Sequence, residues 1–306
     1  MARPRGASPG SCAAGCRVFG VGKALAAPAA GGRKGICMII TDTHAHYDEE
    51  AFDPDRDQLL RSELPCAGVE FAVNMGASME GAESSVRLAQ EYPIIYAGCG
   101  IHPDSVGIFE KDADAMRHLK SLCRSPKVVC VGEIGLDYHW MVETKEVQGK
   151  WFAAQLLLAR ELNLPINVHS REASQDTFDI IVKYHTESSE GAGRHTTTGG
   201  VIHCYSGSAD MAAEYVKMGY HIGVGGVVTF KNSKRLRKVV EEIPLSAIVT
   251  ETDCPYMAPE PVRGSRNDSR NIRYMIEKIA EIKGMDKEEC AGILRRNAME
   301  VYRIGT

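Results

Sequence analysis

The sequence predicts an α/β protein of the (β/α)8 TIM-barrel class, and three observations point there. Eight short apolar runs, 38–42, 69–75, 94–101, 127–133, 165–169, 200–204, 220–224 and 247–252, alternate with segments long enough for a crossover helix. Continuous apolar runs of this length read as parallel strands buried on both faces. Six residues with metal-ligating side chains, His44, His46, Glu133, His169, His203 and Asp253, sit at or just beyond the ends of five of these runs. The C-terminal strand edge is where parallel α/β folds assemble their sites, and a doubly wound sheet rarely collects side chains from so many strands.

Taken in order, ICMIITDTHAH carries the first strand from Met38 and delivers His44 and His46, which are two apart and so leave one face together. VVCVGEIGLD ends the fourth strand with Glu133, LPINVHSR the fifth with His169, GGVIHCYSG the sixth with His203 and AIVTETDCP the eighth with Asp253. The clearest crossover helices are 79–91 and 145–162. In the second, Trp151, Phe152, Gln155, Leu156, Leu158, Ala159 and Leu162 offer a stripe for burial. The polar stretch 186–199 leads into the sixth strand, so it is expected as a flexible loop on the bottom face. A Pro- and Arg-rich loop, 255–270, follows the eighth strand, and two helices complete the chain.

With 306 residues, 44% of them hydrophobic and 25% charged, the chain can bury roughly three-quarters of its unfolded surface. Residues 1–37 differ: they are rich in Ala, Gly and Pro, carry six Lys and Arg, and contain no acid. They are expected to be a disordered extension preceding the barrel domain, 38–306. Their acid-poor, Arg-bearing composition also fits an organellar transit peptide, but a cytoplasmic location is the expectation. No apolar stretch approaches the roughly 18–20 residues of a membrane span, so no membrane partner is expected. A net charge of −4 gives no general attraction to polyanions, which would need a local basic patch. The ten cysteines form no CxxC pair and read as reduced, mostly buried thiols.

Four imidazoles and two carboxylates exceed one tetrahedral zinc site and suit a pair of divalent ions. Alone, the HxH pair is a weak signal, because hydrogen-bonded core histidines are common. Joined to the other four it is strong. A carboxylate at Glu133 can bridge two cations, and one at Asp253 can ligate an ion while holding or deprotonating a water. Imidazoles favour Zn2+ or Mn2+, whereas Mg2+ prefers oxygen. Amidohydrolases also open with HxH and commonly place a modified Lys near the Glu133 position; here the only nearby Lys, Lys127, starts the strand, at the wrong end. No GxSxG, P-loop or dinucleotide fingerprint accompanies the set.

Eight motifs, THAH at 43–46, GIHP at 100–103, GEIGLDY at 132–138, LPINVHSR at 164–171, HCYSG at 203–207, GGVVTFK at 225–231, ETDCPY at 251–256 and RGSRN at 263–267, resemble the TatD family of metal-dependent hydrolases. The resemblance is co-linear over 38 to about 304, and the sequence departs from it at RNDS, 266–269, where the family pattern has RNEP. It implies a TIM barrel supported by two divalent ions (Mg2+, Mn2+ or Zn2+) that hydrolyses phosphodiesters, chiefly as a deoxyribonuclease on single strands or ends. By the same resemblance His44, His46 and Asp253 hold the first ion, Glu133 bridges, and His169 and His203 hold the second. His102 becomes a candidate donor to a phosphate oxygen and Arg171 a phosphate clamp. Arg263 and Arg266, with Arg270, are expected to overhang the mouth and supply positive potential. The alternative enzyme is a hydrolase of a small amide, lactone or phosphoester. A non-catalytic descendant would have little need for all six ligands, and none is missing. Nothing in the sequence calls for an obligate protein partner.

Overall fold

The computed structural model describes residues 38–305 apart from 186, 189–194 and 197; the extension expected over 1–37 lies outside the described residues. Eight parallel strands form one sheet in chain order: β1 (Ile40–Ala45), β2 (Val69–Met75), β3 (Ile95–Gly98), β4 (Val128–Asp137), β5 (Ile166–Arg171), β6 (Gly200–Ile202), β7 (Tyr220–Val224) and β8 (Ile248–Thr250). A parallel bridge between Ala45 and Cys254 joins the exit of β8 to β1 and closes the ring. The main helices are α1 (Met79–Glu91), α2 (Ala115–Leu122), α3 (Lys145–Leu162), α4 (Ser174–Tyr184), α5 (Ala209–Lys217), α6 (Lys234–Glu242), α7 (Ile272–Lys283) and α8 (Lys287–Tyr302), and the first crossover is an irregular helical run over 56–66. α1 and α3 cover the residues expected of them. Each starts on a hydroxyl cap: Ser78 accepts from the Gly81 N–H at 3.0 Å and Thr144 from the Val147 N–H at 3.3 Å.

Two strands depart from the expected boundaries in a way that shapes the site. β1 runs to Ala45 rather than stopping at 42, and β4 runs to Asp137, so Glu133 lies inside its strand instead of ending it. In β1 the pairing steps from Asp42–Ala72 to Ala45–Asn74, three residues against two; in β4 it steps from Val131–Ile166 to Ile134–Val168. Each is a bulge that re-aims side chains without ending the strand, and the bulges hold His44 and Glu133. The glycines of GEIG make the second one possible. A Cβ on Gly132 would lie 2.6 Å from the Asn167 Cβ, and Gly135, at φ +144°, would place one 2.0 Å from the His169 carbonyl oxygen.

The barrel interior and the helix layer bury separate cores. Phe71, Val73 and Met75 of β2, Val129 and Cys130 of β4, Val201 of β6 and Val249 of β8 cluster with Ala298, Val301, Tyr302 and Ile304 at the end of α8. Alternate strands thus fill the barrel with apolar side chains, as such barrels require, and the last helix packs into that layer. The larger core lies between the outer strand faces and the surrounding helices. Lys127 donates to the carbonyls of Ala89, Tyr92 and Pro93, at the start of β4 and away from the mouth. Within the expected loop 186–199, Glu187–Ser188 pairs antiparallel with His195–Thr196; the flexibility expected there falls mostly on residues outside the described ones. The seven described cysteines are unpaired. Among the described residues no helix is long and apolar enough to cross a membrane.

Candidate metal centre

The closure of the ring brings the first and last strands together at the mouth. Asp253 donates its N–H to the His44 carbonyl at 3.0 Å, and His46 donates to the Cys254 carbonyl at 2.9 Å. Asp253 and Cys204 take left-handed backbone, φ 55° and 45°, a conformation that non-glycine residues adopt at a cost. The nitrogen and oxygen atoms of His44, His46 and Asp253 lie within 4.8 Å of one another, as do those of His102, Glu133 and His169. Glu133 stands between these groups. Its Oε2 is 3.5 Å from His44 Nε2 and 3.8 Å from His46 Nε2, while its Oε1 is 3.0 Å from His169 Nδ1 and 3.8 Å from His203 Nε2. All six residues read from the sequence therefore converge.

Whether they suit a cation follows from what holds the far side of each ring. His44 Nδ1 faces the Asn167 side-chain oxygen at 2.9 Å, and His46 Nδ1 faces the Met75 carbonyl at 3.0 Å. Both acceptors demand a proton on Nδ1, so both Nε2 atoms turn to the centre as the positions a cation or a further proton takes, and these two atoms sit 3.0 Å apart. Only a proton or a cation between them makes that approach stable. The orientation of Asn167 is itself determined: its amide donates to the Tyr302 hydroxyl at 2.8 Å, which donates to the Thr43 carbonyl at 3.0 Å. His203 turns Nδ1 toward Glu251 Oε1 at 3.2 Å, again freeing Nε2 for the centre. His169 is held from behind by Asp137 at 3.0 Å on Nε2 and meets Glu133 with Nδ1. Carboxylates and carbonyls behind the rings, with lone pairs in front, are the arrangement that metal-binding histidines use, and the donor set fits divalent cations.

The comparisons with known proteins agree with this geometry. Residues 41–303 match the family model described as TatD related DNase. The chain belongs to the TatD family. It is 39% identical to the uncharacterized metal-dependent hydrolase YabD of Bacillus subtilis over 87% of this chain and 100% of that protein. It is 32% identical to the uncharacterized metal-dependent hydrolase YcfH of Escherichia coli over 87% and 97%. Among solved structures it resembles YjjV, a TatD homologue from E. coli, with a TM-score of 0.74 at 29% identity over 88% of this chain and 99% of that one. A phosphotriesterase-like lactonase from Deinococcus radiodurans, at 12% identity and a TM-score of 0.58, shares the fold alone.

Charge in this TatD protein is arranged to attract cations to the mouth. Burial alone would lower His46, but the Asp253 hydrogen bond and the Asp253 and Glu133 carboxylates outweigh it and raise its pKa to about 10. Burial is likewise overcome at His169, which Asp137 and Glu133 raise to about 9. Glu133 stays well below the usual carboxylate range: burial opposes this, but His44 and the His169 hydrogen bond prevail. Asp253 is also lowered, against burial, by the His46 hydrogen bond and by His203. His102 differs. Its Nδ1 accepts the Asp104 N–H at 3.2 Å and burial pushes it down to about 4, so it is neutral with its proton on Nε2. It therefore offers a donor, 4.0 Å from Glu133 Oε1, rather than a lone pair.

The basic residues separate. Arg171 lines the mouth cavity of about 880 Å3, its guanidinium carbon 5.4 Å from the Trp140 ring. Arg263 and Arg266, expected to overhang the mouth, are not among the cavity-lining residues. Arg266 donates twice to Asp55, at 2.7 and 2.6 Å, and Arg263 lies 4.3 Å over Phe230; Arg270 is bound to Asp268 and Glu63. Arg266 and Arg270 tie the last loop to its neighbours through acids within reach, whereas Arg263 stays more than half exposed beside Phe230. The RNDS departure has a similar consequence. Ser269 is fully buried, donates to Asp42 Oδ2 at 2.6 Å and accepts from the Tyr47 hydroxyl at 2.5 Å, so the loop is pinned where a Pro would have supplied stiffness.

Sequence reading missed Asp137, Asn167, Glu251 and Tyr302. Three of these carried a signal. Asn167 and Glu251 stand two residues before His169 and Asp253, and Asp137 four after Glu133, so strand alternation puts them near the same face. Tyr302 had none, being at the far end of the chain.

Proposed function

We propose that this metal-dependent hydrolase cleaves phosphodiester bonds of DNA, at single strands or exposed ends, using cations on the two sides of Glu133. The observation that carries the reading is Glu133 itself, whose two oxygens face different histidines. His44, His46 and Asp253 would hold one cation and His169 and His203 the other, with Glu133 shared between them. When bound, such cations lower the pKa of a water and neutralise charge gathering on a phosphoryl group. Asp253, ionised and beside His46, positions that water and accepts its proton. His102 donates its Nε2–H to a phosphate oxygen, and Arg171 grips a neighbouring phosphate. Asp137, Asn167 and Glu251 keep the rings turned so that their lone pairs face inward.

The test is an end-labelled single strand and its duplex, incubated with the purified protein across a series of Mg2+, Mn2+ and Zn2+. Cleavage should appear with metal and vanish in excess chelator; undiminished cleavage in chelator would overturn the mechanism. A second reading, hydrolysis of a small ester or lactone, is favoured by the cavity, whose volume falls in the range of small-molecule sites. Turnover of small esters without any cleavage of oligonucleotides would establish it instead.

A further inference from the structure

Arg171 is the one Lys or Arg among the described residues that line the cavity. Phosphate contacts alone are then a thin source of affinity for a polynucleotide. The same cavity carries two large aromatic side chains that folding leaves in water: Trp140 is 63% exposed and Tyr256 54%. Trp140 follows β4 and Tyr256 follows β8, four strands apart in a ring of eight, so they rise from opposite sides of the mouth.

Neither ring sits on slack backbone. The Trp140 N–H donates to Asp137 Oδ1 at 2.9 Å, and the other oxygen of that carboxylate holds His169. The Tyr256 N–H donates to the Asp253 carbonyl at 2.9 Å, and its own carbonyl accepts from Asn267 at 2.8 Å. The backbone beneath each exposed ring is therefore tied by one hydrogen bond, to the carboxylate behind His169 in one case and to Asp253 in the other. His139 packs edge-on to Trp140 at 4.8 Å, limiting the ring's freedom further. Rigid aromatics keep their conformational cost of binding low, and they present π faces that any base can cover.

We propose that Trp140 and Tyr256 are stacking platforms for nucleobases on the two sides of the scissile phosphate of a single-stranded polynucleotide. This rests on the nucleic-acid reading above and adds to it the source of affinity. Bases in a duplex are already stacked and paired, so the platforms select single strands and frayed ends. Because every base has a π face, they do so with little regard to sequence.

The experiment measures KM and kcat for a single-stranded oligonucleotide with Trp140→Ala, Tyr256→Ala and the corresponding Phe variants, alongside a strand of equal length whose central residues are abasic. Each Ala change should raise KM for the intact strand about 5- to 150-fold, the range expected for loss of one stacked base. The Phe variants should recover most of it, and on the abasic strand parent and Ala variants should differ by less than about twofold. Ala variants that match the parent on the intact strand would overturn the platforms while leaving the nuclease reading intact. A parent that cuts neither strand would overturn that reading and the platforms with it.

Discussion

His185 at the bottom of this barrel and His46 and His169 at its mouth are all buried in large part, yet their pKa values shift in opposite directions. At the bottom, His185 follows α4 with Nδ1 2.5 Å from the Tyr220 hydroxyl and Nε2 2.8 Å from the Thr198 hydroxyl, and burial, helped by Arg160, pushes it down to about 4. At the mouth His46 and His169 are also largely inaccessible, yet they rise to about 10 and about 9. Depth is shared; the partners differ. Hydroxyls satisfy a neutral ring, whereas Asp253, Glu133 and Asp137 favour a positive charge strongly enough to reverse the effect of burial. The bottom of the barrel is built for stability and the mouth to hold cations, and the difference can be broken one residue at a time.

The largest effect is expected at Glu133. Glu133→Gln keeps the shape but removes the charge shared by both halves of the centre. Metal content and turnover should fall at least about 100-fold, the upper end of what loss of a mere outer partner costs. In the same variant, NMR titration should find His169 closer to its ordinary value. Full metal loading of this variant would refute the bridging role.

At the other end of the barrel the His185 pKa is lowered on folding, so the native state favours the neutral ring. The stability it contributes is fully present above about pH 6.5 and is lost as pH falls toward about 4, amounting to about 3 kcal/mol at 1.36 kcal/mol per unit. Urea unfolding at the two ends of that window should show a smaller pH-dependent loss in His185→Gln than in the parent. Equal losses would assign the effect to other groups.

Tyr302→Phe should cost about 1–3 kcal/mol, because it leaves the Asn167 amide and the Thr43 carbonyl unpaired in the core. Its signature beyond stability is at His44: once Asn167 can turn, the ring should populate both tautomers in 15N spectra, and metal affinity should drop with no ligand altered. A single, unchanged tautomer would show that Asn167 needs no help.

The smallest effect belongs to the last loop. Arg266→Ala should lower stability by no more than about 1 kcal/mol, since its pair with Asp55 is partly exposed. Combined with Arg263→Ala it should leave the salt dependence of single-strand binding unchanged, while Arg171→Ala lowers the slope by about 0.7. A flattened slope in the double variant would return the loop to the binding surface.

The fold class and the convergence of six ligands were legible because both follow from local pattern. An apolar run ends, a polar residue follows, and parallel strands deliver their ends to one edge. The glycines around Glu133 also carried a local signal for the β4 bulge, although the expected strand ended four residues early. Only the tertiary structure decided which ring nitrogen faces the centre. His44 depends on Asn167, and Asn167 on Tyr302, 135 residues away, a separation no spacing rule reads. It also decided that Arg266 would pair with Asp55, 211 residues distant, instead of facing a ligand. Residue type sets what a side chain can bind, but the partner that reaches it first is set by register and closure of the ring.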